Sequence, residues 1–231
     1  MSGFKEGLQT RTIGCRACVV CVCILGFASP VHAWHHRVWQ WSFDTEDDRV
    51  PPKGFSFART GTGRPGQWLV LKAPDATNDT RLLAQLDADP TDFRFPIALV
   101  DAPVLANVIF SVKCKPVSGQ VDQACGVVFR YQDERNYYLA RANALEQNVR
   151  LYKVVGGHRE QLADWPGPTL RSVWHELRVY ARGDHLVVSW DGRRVIDRLD
   201  RTFLDAGKVG LWTKADSVTY FDDLRLEEPE P

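Results

Sequence analysis

From residue 34 onward, apolar and polar residues alternate in short runs, and tight-turn dipeptides separate the runs. Side chains of an extended strand point alternately to opposite faces, so a period of two marks a strand with one face buried. Candidate strands cover 38–43, 67–72, 93–99, 106–115, 126–132, 137–143, 149–155, 160–163, 174–182, 185–190, 194–199, 208–213 and 218–227. Asp191-Gly192 lies between two apolar runs and suits a hairpin turn that needs positive φ; Gly156-Gly157 and Gly183-Asp184 serve likewise. A sustained helical period is lacking. The best helical patch, 79–86, is short and runs into Asp-Ala-Asp-Pro. Residues 45–66, with Pro51, Pro52 and Pro65, read as a long surface loop. About a dozen short strands at regular spacing imply an all-β fold, a β-sandwich or a barrel. No domain-sized linker interrupts them, so one domain is expected over 34–228, with a polar tail at 229–231.

The start of the chain has a different character. Lys5, Arg11 and Arg16 precede an apolar run at 17–28; Ser29-Pro30 breaks it, and Val31-His32-Ala33 ends it with small residues. This is the pattern of a signal peptide cleaved after Ala33. The run is about 12 residues, short of the ~20 needed to span a bilayer. The expectation is a secreted or periplasmic protein with no transmembrane anchor in its mature part. The whole chain has a formal net charge of zero; without the first 33 residues, 26 basic residues face 28 acidic ones. Nucleic acid is therefore not an expected partner, since no basic surplus is present to neutralise phosphates. His35-His36 would open the mature chain and could take a metal, although a mobile polar end is the simpler reading.

Four of the six cysteines fall in or beside the apolar run, leaving Cys114 and Cys125. In an exported protein, two cysteines so placed read as one disulfide; two buried free thiols are the alternative.

Three neighbouring candidate strands each carry an arginine near the middle. By alternation Arg130 shares a face with Val128, Arg141 with Tyr137 and Asn143, and Arg150 with Asn148. Buried without a partner, such arginines would be costly, so a solvated face or a cleft accounts for them. The expectation is one polar face carrying all three, provided no bulge intervenes. The alternative is a ligand-free ladder pairing them with Glu146, Asp133 and Glu134.

Two stretches carry a family resemblance. One runs from Pro116-Val-Ser-Gly-Gln-Val-Asp-Gln through Gly126-Val-Val-Phe-Arg-Tyr-Gln-Asp and Asn136-Tyr-Tyr-Leu-Ala-Arg-Ala-Asn to Asn148-Val-Arg-Leu-Tyr-Lys. The other joins Trp174-His-Glu-Leu-Arg-Val, Asp191-Gly192, Gly207-Lys-Val-Gly-Leu-Trp and Tyr220-Phe-Asp-Asp. Together they resemble the bacterial 3-keto-disaccharide hydrolase domain family, which is similar to the concanavalin A-like lectin and glucanase sandwiches. The resemblance implies two facing antiparallel sheets (a jelly roll with one concave face), export, and a carbohydrate or glycoside ligand.

On this reading, Arg130, Tyr137, Arg141, Asn143, Asn148 and Arg150 are the candidate substrate-binding residues. Guanidinium and carboxamide groups hydrogen-bond sugar hydroxyls in pairs, and tyrosine stacks on a sugar ring. An enzyme acting on a 3-keto-glycoside also needs a base for the acidified C2 proton and a group to hold the enolate oxygen. Asp122, Glu146 and His175 are the candidate catalytic residues, although His175 alternates with Leu177 and Val179 and so points toward the core or the sheet edge. His158, at a Gly-Gly turn, reads as an exposed tip. A two-carboxylate glucanase mechanism is not expected, because the E-x-D-x-x-E strand signature is absent. If the first and last strands pair, Asp44 approaches Asp222 and Asp223, and these hard oxygen ligands would suit Ca²⁺. The competing function is a non-catalytic lectin-like module, and a third is a protein-binding sandwich.

Overall fold

The computed structural model describes residues 37–73 and 80–229. The expected signal peptide with its four cysteines, and His35-His36, lie outside the described residues. Every element among those residues is a strand. In chain order they are β1 (Val38–Trp41), β2 (Phe55–Gly61), β3 (Trp68–Lys72), β4 (Arg81–Gln85), β5 (Arg94–Val100), β6 (Val108–Ser118), β7 (Ala124–Asp133), β8 (Asn136–Asn143), β9 (Asn148–Val155), β10 (His158–Pro166), β11 (His175–Arg182), β12 (His185–Trp190), β13 (Arg193–Leu199), β14 (Lys208–Trp212) and β15 (Val218–Glu227).

They form two antiparallel sheets. The first has the order β13-β12-β11-β6-β15-β4-β3, with β1 also paired to β15. The second has the order β10-β9-β8-β7-β14-β5-β2. Alternate residues of both turn inward. Phe110, Val112 and Leu177 from the first sheet meet Val127, Phe129 and Leu151 from the second in one core. The expected all-β concanavalin A-like sandwich is thus the observed architecture. The turn chemistry also holds. Asp191 and Gly192 have φ of 48° and 76° and join β12 to β13 directly. A bulkier residue at Gly192 would be strained by that backbone, not by contact, because a Cβ there would meet nothing within 4 Å.

Two segments differ from expectation. Residues 55–61, inside the expected loop 45–66, form the edge strand β2, paired with β5 from Phe55↔Val100 to Gly61↔Arg94. Its short alternation is masked by the prolines and glycines on both sides. The expected helical patch is instead β4, held between β3 and β15. Leu82, Leu83 and Ala84 are all buried, so both faces are apolar and the alternation disappears.

The disulfide Cys114–Cys125 forms, with the Cα atoms 6.2 Å apart. It joins β6 of one sheet to β7 of the other, so it crosses the sandwich rather than tying hydrogen-bonded neighbours.

The first and last strands pair as expected, Trp41 facing Leu224. This brings negative charge together: burial pushes the Asp222 carboxyl up to about 7, the Asp223 amide opposes this, and the charges of Asp223 and Asp44 add to it. A raised carboxyl stabilises the fold below its unfolded pKa of 3.8, and that stability is lost as pH rises through about 7. Asp222→Asn is therefore expected to raise stability at pH 8. The side chain is only partly buried, so screening by water limits the gain to about 1–2 kcal/mol. Urea unfolding should show the gain at pH 8 and none at pH 3.5; an equal gain at both would refute the assignment.

Candidate functional site

The pairing of β8 with β9 sets Arg141 opposite Arg150 and Asn143 opposite Asn148. These residues lie on the outer face of the second sheet, together with a second apolar cluster that includes Phe95, Tyr137, Leu139, Tyr152 and Trp212. Two guanidiniums facing each other across a strand pair repel. Glu146, from the turn joining the strands, resolves the repulsion. Its Oε2 accepts from Arg141 Nη2 at 2.9 Å, Arg150 Nη1 at 2.6 Å and Asn148 Nδ2 at 3.2 Å. Arg141 also donates to Asn148 Oδ1 and, at 3.2 Å, to Tyr152 Oη. Arg150 Nε donates to Asp164 Oδ1 of β10 at 2.7 Å.

The turn is shaped by Asn143, whose Oδ1 accepts the amides of Leu145 and Glu146 at 2.9 and 3.1 Å. Burial pushes the Glu146 carboxyl up, but Arg141, Asn148 and Arg150 outweigh it and hold the carboxyl below its ordinary value. Glu146 is thus a firmly held anion. It remains 39% exposed, while the Arg141 side chain beneath it is 4% exposed.

Asp122 continues the network inward. Its Oδ1 accepts from Asn143 Nδ2 at 2.8 Å, and its Oδ2 pairs with Lys214 Nζ at 3.0 Å. Lys214 also reaches Asp92, at 2.6 Å. Burial pushes the Asp122 carboxyl up against the opposing charges of Lys214 and Arg141. The loop that presents it is wrapped on Asp216, which accepts the successive amides of Gln120, Val121 and Asp122 at 2.6, 3.1 and 3.0 Å. Gly119 makes the wrap possible: a Cβ there would lie 1.9 Å from the Asp122 carbonyl oxygen.

The structure brings Asp122, Tyr137, Arg141, Asn143, Glu146, Asn148 and Arg150 together on this side of the sheet, but not the other sequence candidates. Arg130 is turned away. The β7–β8 register jumps between Phe129 and Asp133, and Arg130 takes a left-handed φ of 48°. Its side chain is fully buried and donates to the carbonyl oxygens of Ala106 and Phe203, both at 2.7 Å. Tyr131 takes the outer-face place beside Tyr137, stacked at 5.6 Å. The expectation that three arginines share one face is therefore corrected to two of the three. Gly207 accommodates the bulge; a Cβ there would come within 2.4 Å of the Arg130 backbone.

His175 is on β11 in the other sheet. Its Nδ1 is 2.7 Å from Asp191 Oδ2, its Nε2 contacts Leu170, and its ring stacks on Trp190 at 4.6 Å. None of these partners belongs to the arginine face. Among the described residues, no three His, Cys, Asp or Glu side chains are arranged to hold a metal ion. Asp44 accepts the Arg81 amide at 2.9 Å, and Asp223 pairs with Lys113 at 2.7 Å.

Sequence reasoning missed Lys214, Tyr152, Asp164 and Arg159. Tyr152 was legible, since it alternates with Arg150 and Asn148. Lys214 was not, because only the sheet order brings β14 beside β7, and Asp164 was not, because a register shift between Gln161 and Ala163 sets it opposite Arg150.

No protein-family model matches the chain, and no curated protein matches it. Solved structures do share the fold. A carbohydrate-binding module, CBM66 from Bacillus subtilis, is 22% identical with a TM-score of 0.56, over 76% of this chain and 96% of that one. A Bacillus subtilis protein of unknown function with a galectin-like fold is 12% identical with a TM-score of 0.59, over 85% and 100%. Domain 4 of AbnA, an extracellular GH43 arabinanase from Geobacillus stearothermophilus solved with arabinotriose, is 13% identical with a TM-score of 0.53, over 84% and 93%.

Proposed function

We propose that this chain is an exported carbohydrate-binding protein that takes a glycan on the outer face of its second sheet. The observation that carries the proposal is the exposed row Glu146–Arg150–Asp164 lying along the edge of an aromatic floor. The row offers donors and acceptors held in place before any ligand arrives, as sugar hydroxyls require. The similar sandwiches named as a carbohydrate-binding module and as an arabinotriose complex support this reading.

Binding is favoured over catalysis. Glu146 is neutralised by two arginines, and Asp122 is enclosed with both oxygens engaged. Neither is placed as a free base for a C2 proton. The resemblance to 3-keto-disaccharide hydrolase domains keeps 3-keto-glycosides among the ligands to be tried. For them, Arg150 is the group able to hold the ketone oxygen.

Calorimetry against a panel of neutral, acidic and 3-keto oligosaccharides tests the proposal. Arg150→Ala is expected to weaken binding roughly 10–100-fold, the loss of a charged hydrogen bond. Its stability should change by less than about 1 kcal/mol, since its ion pairs are solvent-exposed. An Arg150→Ala protein with unchanged affinity would remove the site, and release of aglycone from a 3-keto-glycoside would replace binding with hydrolysis. Export predicts that mass spectrometry of the secreted protein finds a chain beginning at Trp34.

A further inference from the structure

Arg141 and Arg150 are not the whole cationic content of this face. Arg159 of β10 pairs with Val154, a member of the outer apolar cluster, and so projects on the same side. Its guanidinium lies over two rings at once, with centroids 5.0 Å away for Phe95 and 4.7 Å for Tyr152. Stacking on aromatic faces holds the fork in place and leaves its edge of N–H donors free. Arg159 is exposed, and among the described residues no carboxylate pairs with it. It differs in this from Arg141 and Arg150, which Glu146 and Asp164 neutralise.

The face is also basic where β10 begins. A cavity of about 420 Å³ there is lined by Arg59, Thr60, Arg135 and His158, with Glu134 as its one carboxylate. Thr60 is 2.8 Å from the Tyr137 hydroxyl, so the cavity adjoins the aromatic floor. Arg59 Nε is buried there without a hydrogen-bond partner.

Resting on the carbohydrate-binding reading, we infer that the glycan is acidic and that Arg159 takes the carboxylate of a uronic acid unit. A fork of parallel N–H donors matches a carboxylate in a bidentate pair. Bulk attraction cannot substitute for that pair, because the formal net charge of the chain is zero. Any preference for an acid must therefore come from local placement.

The test uses the full chain, calorimetry, and short galacturonate, glucuronate and mannuronate oligosaccharides, each with its methyl ester and a neutral counterpart. At least one acid is expected to bind roughly 10–100-fold tighter than its ester. Arg159→Gln should abolish that preference, bind acid and ester alike, and keep the parent melting temperature. Equal binding of acid and ester by the parent chain would overturn the inference and leave carbohydrate binding intact. So would a preference that survives in Arg159→Gln. Failure to bind any oligosaccharide, neutral or acidic, would overturn both. If Arg159→Gln lowers the melting temperature, Arg159→Lys is the second variant: retained charge without the fork should restore folding but little of the preference.

Discussion

Arg94→Met is expected to lower the unfolding free energy by roughly 3–5 kcal/mol, the cost of breaking a buried ion pair from one side. Arg94 is fully buried. Its guanidinium donates to the carbonyl oxygens of Arg64 at 2.7 Å, Pro65 at 3.0 Å, Asp87 at 3.2 Å and Ala215 at 2.5 Å. It also pairs with the Asp87 carboxylate at 2.7 Å. One side chain thus pins three loops that have no ladder of their own: those before β3, before β5 and after β14. Methionine fills comparable volume but satisfies none of these oxygens, and each stranded acceptor adds a desolvation cost. Urea unfolding should record the loss, and the melting temperature should fall by about 10 °C or more. A loss below about 1 kcal/mol would mean that the loops are held by other contacts. Asp92, on the loop before β5, carries Lys214 and through it Asp122. The variant should therefore also weaken glycan binding, whereas the Arg150→Ala change acts on binding alone.

Replacing Cys114 and Cys125 together with alanine is expected to cost roughly 2–3 kcal/mol by releasing the constraint on the unfolded chain. The two cysteines are 11 positions apart, which sets that loop term. The bridge is wholly buried in the core, so the lost sulfur packing adds to the effect. Dithiothreitol should leave the folded protein oxidised and reduce it only in denaturant, because both sulfurs lie between the sheets. Ready reduction of the native protein would show that β6 and β7 part locally.

The apolar alternation carried the fold class, because a strand with one buried face has to show it in sequence. Phe110–Cys114 and Leu177–Ala181 show that alternation plainly. Turn chemistry at Asp191-Gly192 was legible for a similar reason: positive φ restricts which residues can occupy the position. Alternation also assigned Tyr137, Arg141, Asn143, Asn148 and Arg150 to one face, since β8 and β9 are joined by a short turn and pair without a register shift.

Where burial on both sides removed the alternation, as in β4, a strand resembled a helix. Flanking prolines and glycines hid β2 for a different reason: its hydrogen bonds come from β5, more than thirty residues away.

Tertiary structure alone decided the rest of the site. A bulge in β7 turned Arg130 into the protein and brought Tyr131 out, and a bulge depends on how β14 and β8 pack on either side, not on the local residues. Lys214 met Asp122 because β14 lies beside β7, although 92 positions separate the two residues. Arg159 gained its place over Phe95 and Tyr152 in the same way. A local pattern dictates which face a side chain points to, because that depends on its own backbone. Which charges it meets there depends on sheet order, set by the burial of the whole chain and not written in any one segment.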